Sequence, residues 1–311
     1  MSIAKELLEK LKTEIDTYEL QLIFKNEEIE NLKLIIAKNE LTIAELNLKL
    51  DDIVTPPAPT TKTVIDDKLT TITDKWGKTH YGKTVNYSNI ILKNSQGWYF
   101  NGCDVVLENC EFENIYAVIF DQCKSVRIIN PKMTRTKRAF DIRKTLNGRI
   151  EGFYEVSYTQ DFPIPNDPNL NGDGIISDPD SNGWFIDKMY SHHNADCGLD
   201  WKGSNLTVNY LKSEFNKHGT KQWGKNNHIL TLEANDNKSI SIFQINGSLT
   251  VDNLISNRPG EHHIMQGLRQ SYTQGWSKTL TIPKATVDAK SLIYQDKSWG
   301  PCSATINGKI Y

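Results

Sequence analysis

Apolar residues recur every seven positions through the first fifty residues. Counting in sevens from Leu8 gives Leu8, Ile15, Leu22, Ile29, Ile36, Ile43 and Leu50, an unbroken apolar series. The series three positions on reads Leu11, Tyr18, Lys25, Leu32, Asn39, Leu46 and Ile53, polar only at Lys25 and Asn39. A helix of 3.6 residues per turn keeps such a narrow seam on one side only by supercoiling against another helix. The spacing therefore predicts an α-helical coiled coil over residues 1–54. At ~1.5 Å per residue its helical stretch spans about 70 Å. A polar residue in the seam costs stability and fixes register, so Asn39 is expected to meet its own copies while Lys25 reaches for water. The seam residues leave dimer against trimer open.

Prolines end this pattern. The run Thr55-Pro-Pro-Ala-Pro-Thr-Thr61 cannot be helical and predicts a stiff, extended spacer, assigned to residues 55–66. From 67 to 311 the rhythm changes to short, β-branched apolar runs that return with a period near 22. One column of apolar centres reads Leu107, Ile128, Ile150, Ile186 and Val208, with Cys110, Pro131, Phe153, Met189 and Leu211 three residues later. It returns at Val251/Leu254 and Ile282/Ala285. A second column reads Phe120, Ile142, Ile176, Leu199, Leu232, Ile264 and Ile293. A coil this short cannot bury its apolar face alone; stacking coils at ~4.8 Å places like residues over like and makes one continuous core. The predicted fold is an all-β right-handed parallel β-helix of eight or nine turns, with insertions near 159–174, 217–227 and 255–262.

Charge and segment composition remove several functions. Lys+Arg is 36 against Asp+Glu 38, a net charge of -2, so no basic excess points to nucleic acid. No stretch approaches the ~18 apolar residues of a membrane span. Lys5, Glu6, Glu9 and Lys10 interrupt any apolar leader core, which predicts a protein made in a cytoplasm. The five cysteines, Cys103, Cys110, Cys123, Cys197 and Cys302, lack a C-x-x-C pair and are expected to be reduced; the first three could share a column.

A coiled coil, a Pro/Thr spacer and an Asn-rich β-helix together resemble virion appendages: tail spikes, tail fibres and head fibres. The resemblance implies a homotrimer that binds or cuts a host surface glycan, with a virion protein holding the N-terminus of a subunit assembled in the host cytoplasm. Within the chain, residues 191–219 resemble the pectate-lyase-like enzymes whose turns carry N-x-D-D-G-x-D. That resemblance places Asp196 at the first Asp of the pair, Gly198 at the Gly and Asp200 at the last Asp, with Asp173 one coil earlier. In those enzymes the acids hold Ca²⁺ and a Lys abstracts the proton. Here Cys197 stands at the second Asp, and none of Lys202, Lys225 and Lys238 lies in a recognisable base motif.

Three further groups carry candidate chemistry. Asn169, Asn171, Asp173, Asp178 and Asp180 space oxygen donors around Gly174 as an EF-hand-like loop does, and form the candidate Ca²⁺ site. His192 and His193 could join Asp196 and Asp200, although strand alternation should send the two rings to opposite faces. Trp184, Trp201, Trp223, Trp276 and Trp299 fall at turn ends or insertions, where an indole can stack on a sugar ring. Trp201, between Asp200 and Lys202, is the expected glycan contact. If the chain is an enzyme, a lyase or glycoside hydrolase, then Asp196, Asp200, Asp178 and Glu233 are the carboxylates from which a catalytic pair would come. The leading expectation is a non-catalytic, glycan-binding virion fibre. The alternatives are a polysaccharide-degrading spike and a secreted enzyme with a coiled-coil tag.

Overall fold

The computed structural model describes residues 61–69, 77–160, 172–267, 277–288, 292–297 and 300–311. The coiled coil expected over 1–54, together with Asn169, Asn171, Trp276 and Trp299, lies outside the described residues. Residues 61–311 form one compact unit, a parallel β-solenoid of about nine turns. Twenty-four strands are described, and the one antiparallel pairing joins Cys302–Ile306 to the terminal Lys309–Ile310. No described helix is long and apolar enough to cross a membrane.

Each coil contributes strand to three faces. The first face stacks Thr84–Ser88, Asp104–Glu108 and Ser125–Ile129, then the leading residues of Arg149–Ser157, Phe185–His192 and Thr207–Glu214. The second face begins with Thr63–Asp66 on Ile90–Lys93 and continues through Lys132–Thr134 into the trailing halves of the same long strands. Thr63–Asp66 falls in the segment assigned to the spacer, so the stacked coils begin earlier than residue 67. The third face stacks Phe140–Arg143, Ile175–Ser177, Cys197–Trp201, His218–Gln222, Ile240–Gln244, His262–Gln266 and Ile293–Gln295.

The first column stands as read. Leu107 pairs with Ile128, Ile128 with Ile150, Ile150 with Ile186 and Ile186 with Val208, and all five are fully buried. Each such side chain removed from water contributes roughly 1.5–3 kcal/mol. The residues three positions on belong to the second face, and there Phe153 is displaced. Gly152, at φ +70, inserts an extra residue beside Asn130, so Tyr154 takes the core position opposite Met189 and Phe153 turns outward, 47% exposed. An added Cβ at Gly152 would lie 2.1 Å from the Asn130 side-chain oxygen, so only glycine fits under that amide.

The second column needs two corrections. Ile175, not Ile176, is the core residue opposite Phe140 and Leu199, while Ile176 faces out opposite Asp141 and Asp200. Leu232 belongs to the second face, between Leu211 and Leu254; the neighbour of Leu199 on the third face is Thr220, followed by Ile242 and Ile264. Segments 217–227 and 255–262 are ordinary coil, since His228 follows its partner Thr207 by 21 residues and His262 follows Ile240 by 22. The insertion expected near 159–174 stands, since Ile186 follows its partner Ile150 by 36 residues, and a second, unexpected one lies between Thr250 and Thr281, 31 residues apart.

Corners are made by residues in the left-handed region, where Asn and Gly are least penalised. Asn89, Asn109 and Asn130, at φ 55, 51 and 48, stack at the corner between the first two faces. Their side-chain amides form a ladder, Asn109 Nδ2 donating to Asn89 Oδ1 at 3.4 Å and Asn130 Nδ2 to Asn109 Oδ1 at 3.3 Å. This accounts for the abundance of Asn between apolar runs.

Candidate functional site

The acidic residues singled out at 173, 196 and 200 converge on the outer side of the third face. Leu199 and Trp201 point into the core, so the alternation of the strand sends Asp200 outward, level with Ile176 and Lys221 in the adjacent coils. Asp196 stands at the corner that opens Cys197–Trp201, and Asp173 at the equivalent corner one coil earlier, where its Oδ1 accepts from the Cys197 N–H at 3.1 Å. All three carboxyl groups belong to buried residues.

Two lysines balance them. The Lys221 ammonium pairs with Asp196, and Lys202 Nζ donates to Asp200 Oδ2 at 2.8 Å. Burial opposes the charge on Lys221, but the Cys197 sulfur and the carboxylates of Asp173, Asp200 and Asp196 outweigh it and hold the ammonium above its ordinary pKa. Asp173 has no cation of its own. Burial first, then the negative charge of Asp200, pushes its carboxyl up to about 8. At neutral pH Asp173 thus holds its proton, beside the ion pairs Asp196–Lys221 and Asp200–Lys202. His218, 3.9 Å from Asp196 Oδ1, is pushed down to about 3 by burial and then by Lys221 and Lys217, so it is a neutral imidazole there.

Among the described residues, two oxygens of the cluster, Asp173 Oδ2 and Asp196 Oδ1, are buried without a hydrogen-bond partner. Leaving a buried polar atom unsatisfied costs about 1–3 kcal/mol.

The aromatic partner is Trp223, not Trp201. Trp201 is fully buried and packs edge-to-face on Trp184 at 6.0 Å, so neither indole is available to a ligand. Trp184 spends its N–H on the Thr145 carbonyl at 2.8 Å. The parity of Leu199 and Trp201 carries this signal in the sequence: residues two apart on a strand share a face. Trp223 is half-buried, donates from Nε1 to Asp200 Oδ1 at 2.8 Å, and has Lys202 Nζ 5.7 Å from its ring centre.

Other candidates are dispersed. Glu233 lies on the second face, level with Lys212 and Ile255, where it accepts from Tyr210 at 2.7 Å and from Asn235 at 3.1 Å. It does not join Asp196 and Asp200. The EF-hand-like reading fails for its described members: Ile175–Ser177 is an extended strand between Asp173 and Asp178, so no loop wraps them around one point. Asp178 instead caps the next corner, accepting from the Lys144 N–H at 2.9 Å and from Ser181 Oγ at 2.7 Å, and Asp180 is exposed. Among the described residues no three His, Cys, Asp or Glu side chains are placed to hold a metal ion. Cys197 is buried beside Lys221 within the cluster, with Sγ against the Leu199 carbonyl at 3.3 Å, and burial raises its thiol well above the usual range. Cys103, Cys110 and Cys123 are buried free thiols, and Cys302 is a half-buried one.

No family model, curated protein or solved structure matches the chain. Fold and site alone therefore define the class, a parallel β-solenoid that carries a carboxyl–ammonium–indole cluster on one outer face.

Proposed function

We propose that the protein is the adhesive subunit of a virion fibre or spike: a homotrimer, joined through the coiled coil of residues 1–54 to a right-handed solenoid that binds a host surface glycan. The observation that carries the reading is Trp223 with Asp200 and Lys202. A half-buried indole, a carboxylate and an ammonium group in one cluster are the groups a sugar needs, with the flat ring for its C–H face and the charged pair for its hydroxyls. Asp196 Oδ1 adds an acceptor with no hydrogen-bond partner among the described residues. A virion protein would hold the N-terminal end.

One observation favours a second reading, a polysaccharide-degrading spike. A glycosidase requires one protonated and one ionised carboxyl group, and Asp173 holds its proton beside Asp196 and Asp200. A uronate lyase is less well supported, because Cys197 brings a thiol to the cluster where those enzymes place a metal-binding acid.

Glycan-array binding by the full chain, followed by incubation of each bound glycan and analysis for new reducing or unsaturated ends, tests both. Retention without product supports the adhesive reading; turnover lost in Asp173→Asn supports the degrading one; neither binding nor turnover contradicts both. Sedimentation as anything but a trimer contradicts the assembly.

A further inference from the structure

At the corner that follows the second face, consecutive coils place Tyr158, His193 and Phe215 in the left-handed region, at φ 54, 56 and 56. Residues at one corner stack along the solenoid, and these three rings do so: Tyr158 on His193 at 5.0 Å and His193 on Phe215 at 4.8 Å, nearly parallel. The positive φ at His193 also cancels the strand alternation that should separate it from His192. The two imidazoles instead meet edge to edge, with their Nδ1 atoms 2.9 Å apart. His192 is fixed in turn by stacking on Tyr190 at 4.6 Å.

This spacing has a chemical meaning. Two ligands at right angles on a metal, with bonds of ~2.0–2.1 Å, lie about 2.9 Å apart, whereas tetrahedral ligands lie about 3.3–3.4 Å apart. Stacked neighbours and one proton shared between the two nitrogens set that separation before any ion arrives, and a small pivot of each ring turns both lone pairs to one point. The outer nitrogen of His192, Nε2, lies 3.8 Å from Glu155 Oε1. A carboxylate there favours the tautomer with the proton on Nε2, which leaves the Nδ1 lone pair free to bind; such carboxylate–imidazole pairs commonly orient metal ligands.

The geometry points to a surface site for a divalent transition metal of tetragonal preference, Cu²⁺ or Ni²⁺, held by Nδ1 of His192 and Nδ1 of His193, with Glu155 as a positioning residue. The two rings share one proton on the Nδ1 side; on binding, that proton passes through solvent to the outer nitrogen of its ring, and both lone pairs turn to the ion. Water completes the coordination, since among the described residues no third His, Cys, Asp or Glu converges on the point. The site stands on the second face and its corner, away from the Asp200–Trp223 cluster, and is independent of the glycan reading.

The test titrates the full chain with CuCl₂ alone, read by calorimetry and by electron paramagnetic resonance. The expected result is one ion per chain with a spectrum showing two equivalent imidazole nitrogens. His193→Asn, a residue that also accepts positive φ, should weaken binding roughly tenfold or more by removing one arm of the chelate. Glu155→Gln should weaken it by about tenfold while leaving both nitrogens in the spectrum. The other five histidines remain in His193→Asn and serve as the internal background. Equal affinity in wild type and His193→Asn would overturn the assignment. So would a wild-type spectrum with fewer than two coordinated nitrogens, a result that needs no variant to fold.

Discussion

The indole N–H of Trp223 donates to Oδ1 of Asp200 at 2.8 Å, joining residues that sit 23 apart in sequence and in neighbouring coils. The other oxygen of Asp200 is held by Lys202, so the carboxylate fixes both the ring and the cation that flanks it. One residue from Asp200, Trp201 points the opposite way and is fully buried. Two tryptophans of this small region therefore have different tasks, and substitution should separate them.

Trp201→Ala should lower stability by about 3–5 kcal/mol, the usual range for emptying a large aromatic site in a packed core. Trp223→Ala, at a half-buried position, should shift the denaturant midpoint far less. Urea unfolding of both variants checks this, and equal destabilisation would contradict the placement.

Stability should fall as pH rises from 6.5 to 8.5. The folded carboxyl of Asp173 titrates at about 8 against 3.8 for the ordinary group, so between these values the folded state holds a proton that the unfolded chain has released. Stability is then lost with rising pH, up to the folded pKa. His218 acts with the opposite sign. Its folded pKa of about 3 lies below the ordinary 6.5, so its contribution is complete above pH 6.5 and is lost as pH falls through the acid range. Between pH 7 and 8 the slope belongs chiefly to Asp173, since the buried thiols, raised above the ordinary 9.0, add the same sign only as pH nears 9. Asp173→Asn should flatten the slope there, and an unchanged slope would remove Asp173 as its source.

The lower coils of the third face carry a buried glutamine ladder. Gln266 Nε2 donates to Gln244 Oε1 at 2.6 Å, and Gln295 Nε2 to Gln266 Oε1 at 2.7 Å. Gln266→Leu keeps the size but orphans the buried Gln244 oxygen, at about 1–3 kcal/mol, and takes a partner from Gln295 and from the Ser303 carbonyl. Loss of stability well beyond that of an exposed Gln→Leu control is the expected outcome of thermal unfolding.

Ile128→Asp should abolish folding. Ile128 is fully buried between Leu107 and Ile150, and an unpaired charge in that dry column costs several kcal/mol. A soluble Ile128→Asp protein with native circular dichroism would contradict the core assignment.

The stacked coils were legible because like residues repeat at a fixed period; Leu107, Ile128, Ile150, Ile186 and Val208 needed only counting. Counting failed where the backbone departs from the repeat. Phe153 lost its place to Tyr154 through the bulge at Gly152, and the left-handed turn at His193 defeated the alternation expected of His192 and His193. Leu232 went to the wrong column because two faces with the same period look alike in one dimension. At the site, Asp173, Asp196 and Asp200 were readable as a set one coil apart; Trp223 was one of five candidate indoles, not the one singled out, and Lys221 was not foreseen. Their roles come from stacking on the next coil, and neither belongs to a local motif. The loop spacing at Asp173, Asp178 and Asp180 imitated a calcium loop because Gly and Asp also make ordinary solenoid corners.

The glycan-binding site is tested most directly by calorimetric titration of the full chain with the strongest glycan found on the array, in wild type and in Trp223→Ala. The account predicts saturable binding without any product, weakened at least about tenfold in Trp223→Ala with an unfolding midpoint shifted far less than in Trp201→Ala, as expected when an aromatic anchor of ~1.4 kcal/mol or more is removed. Unchanged affinity in Trp223→Ala would contradict it.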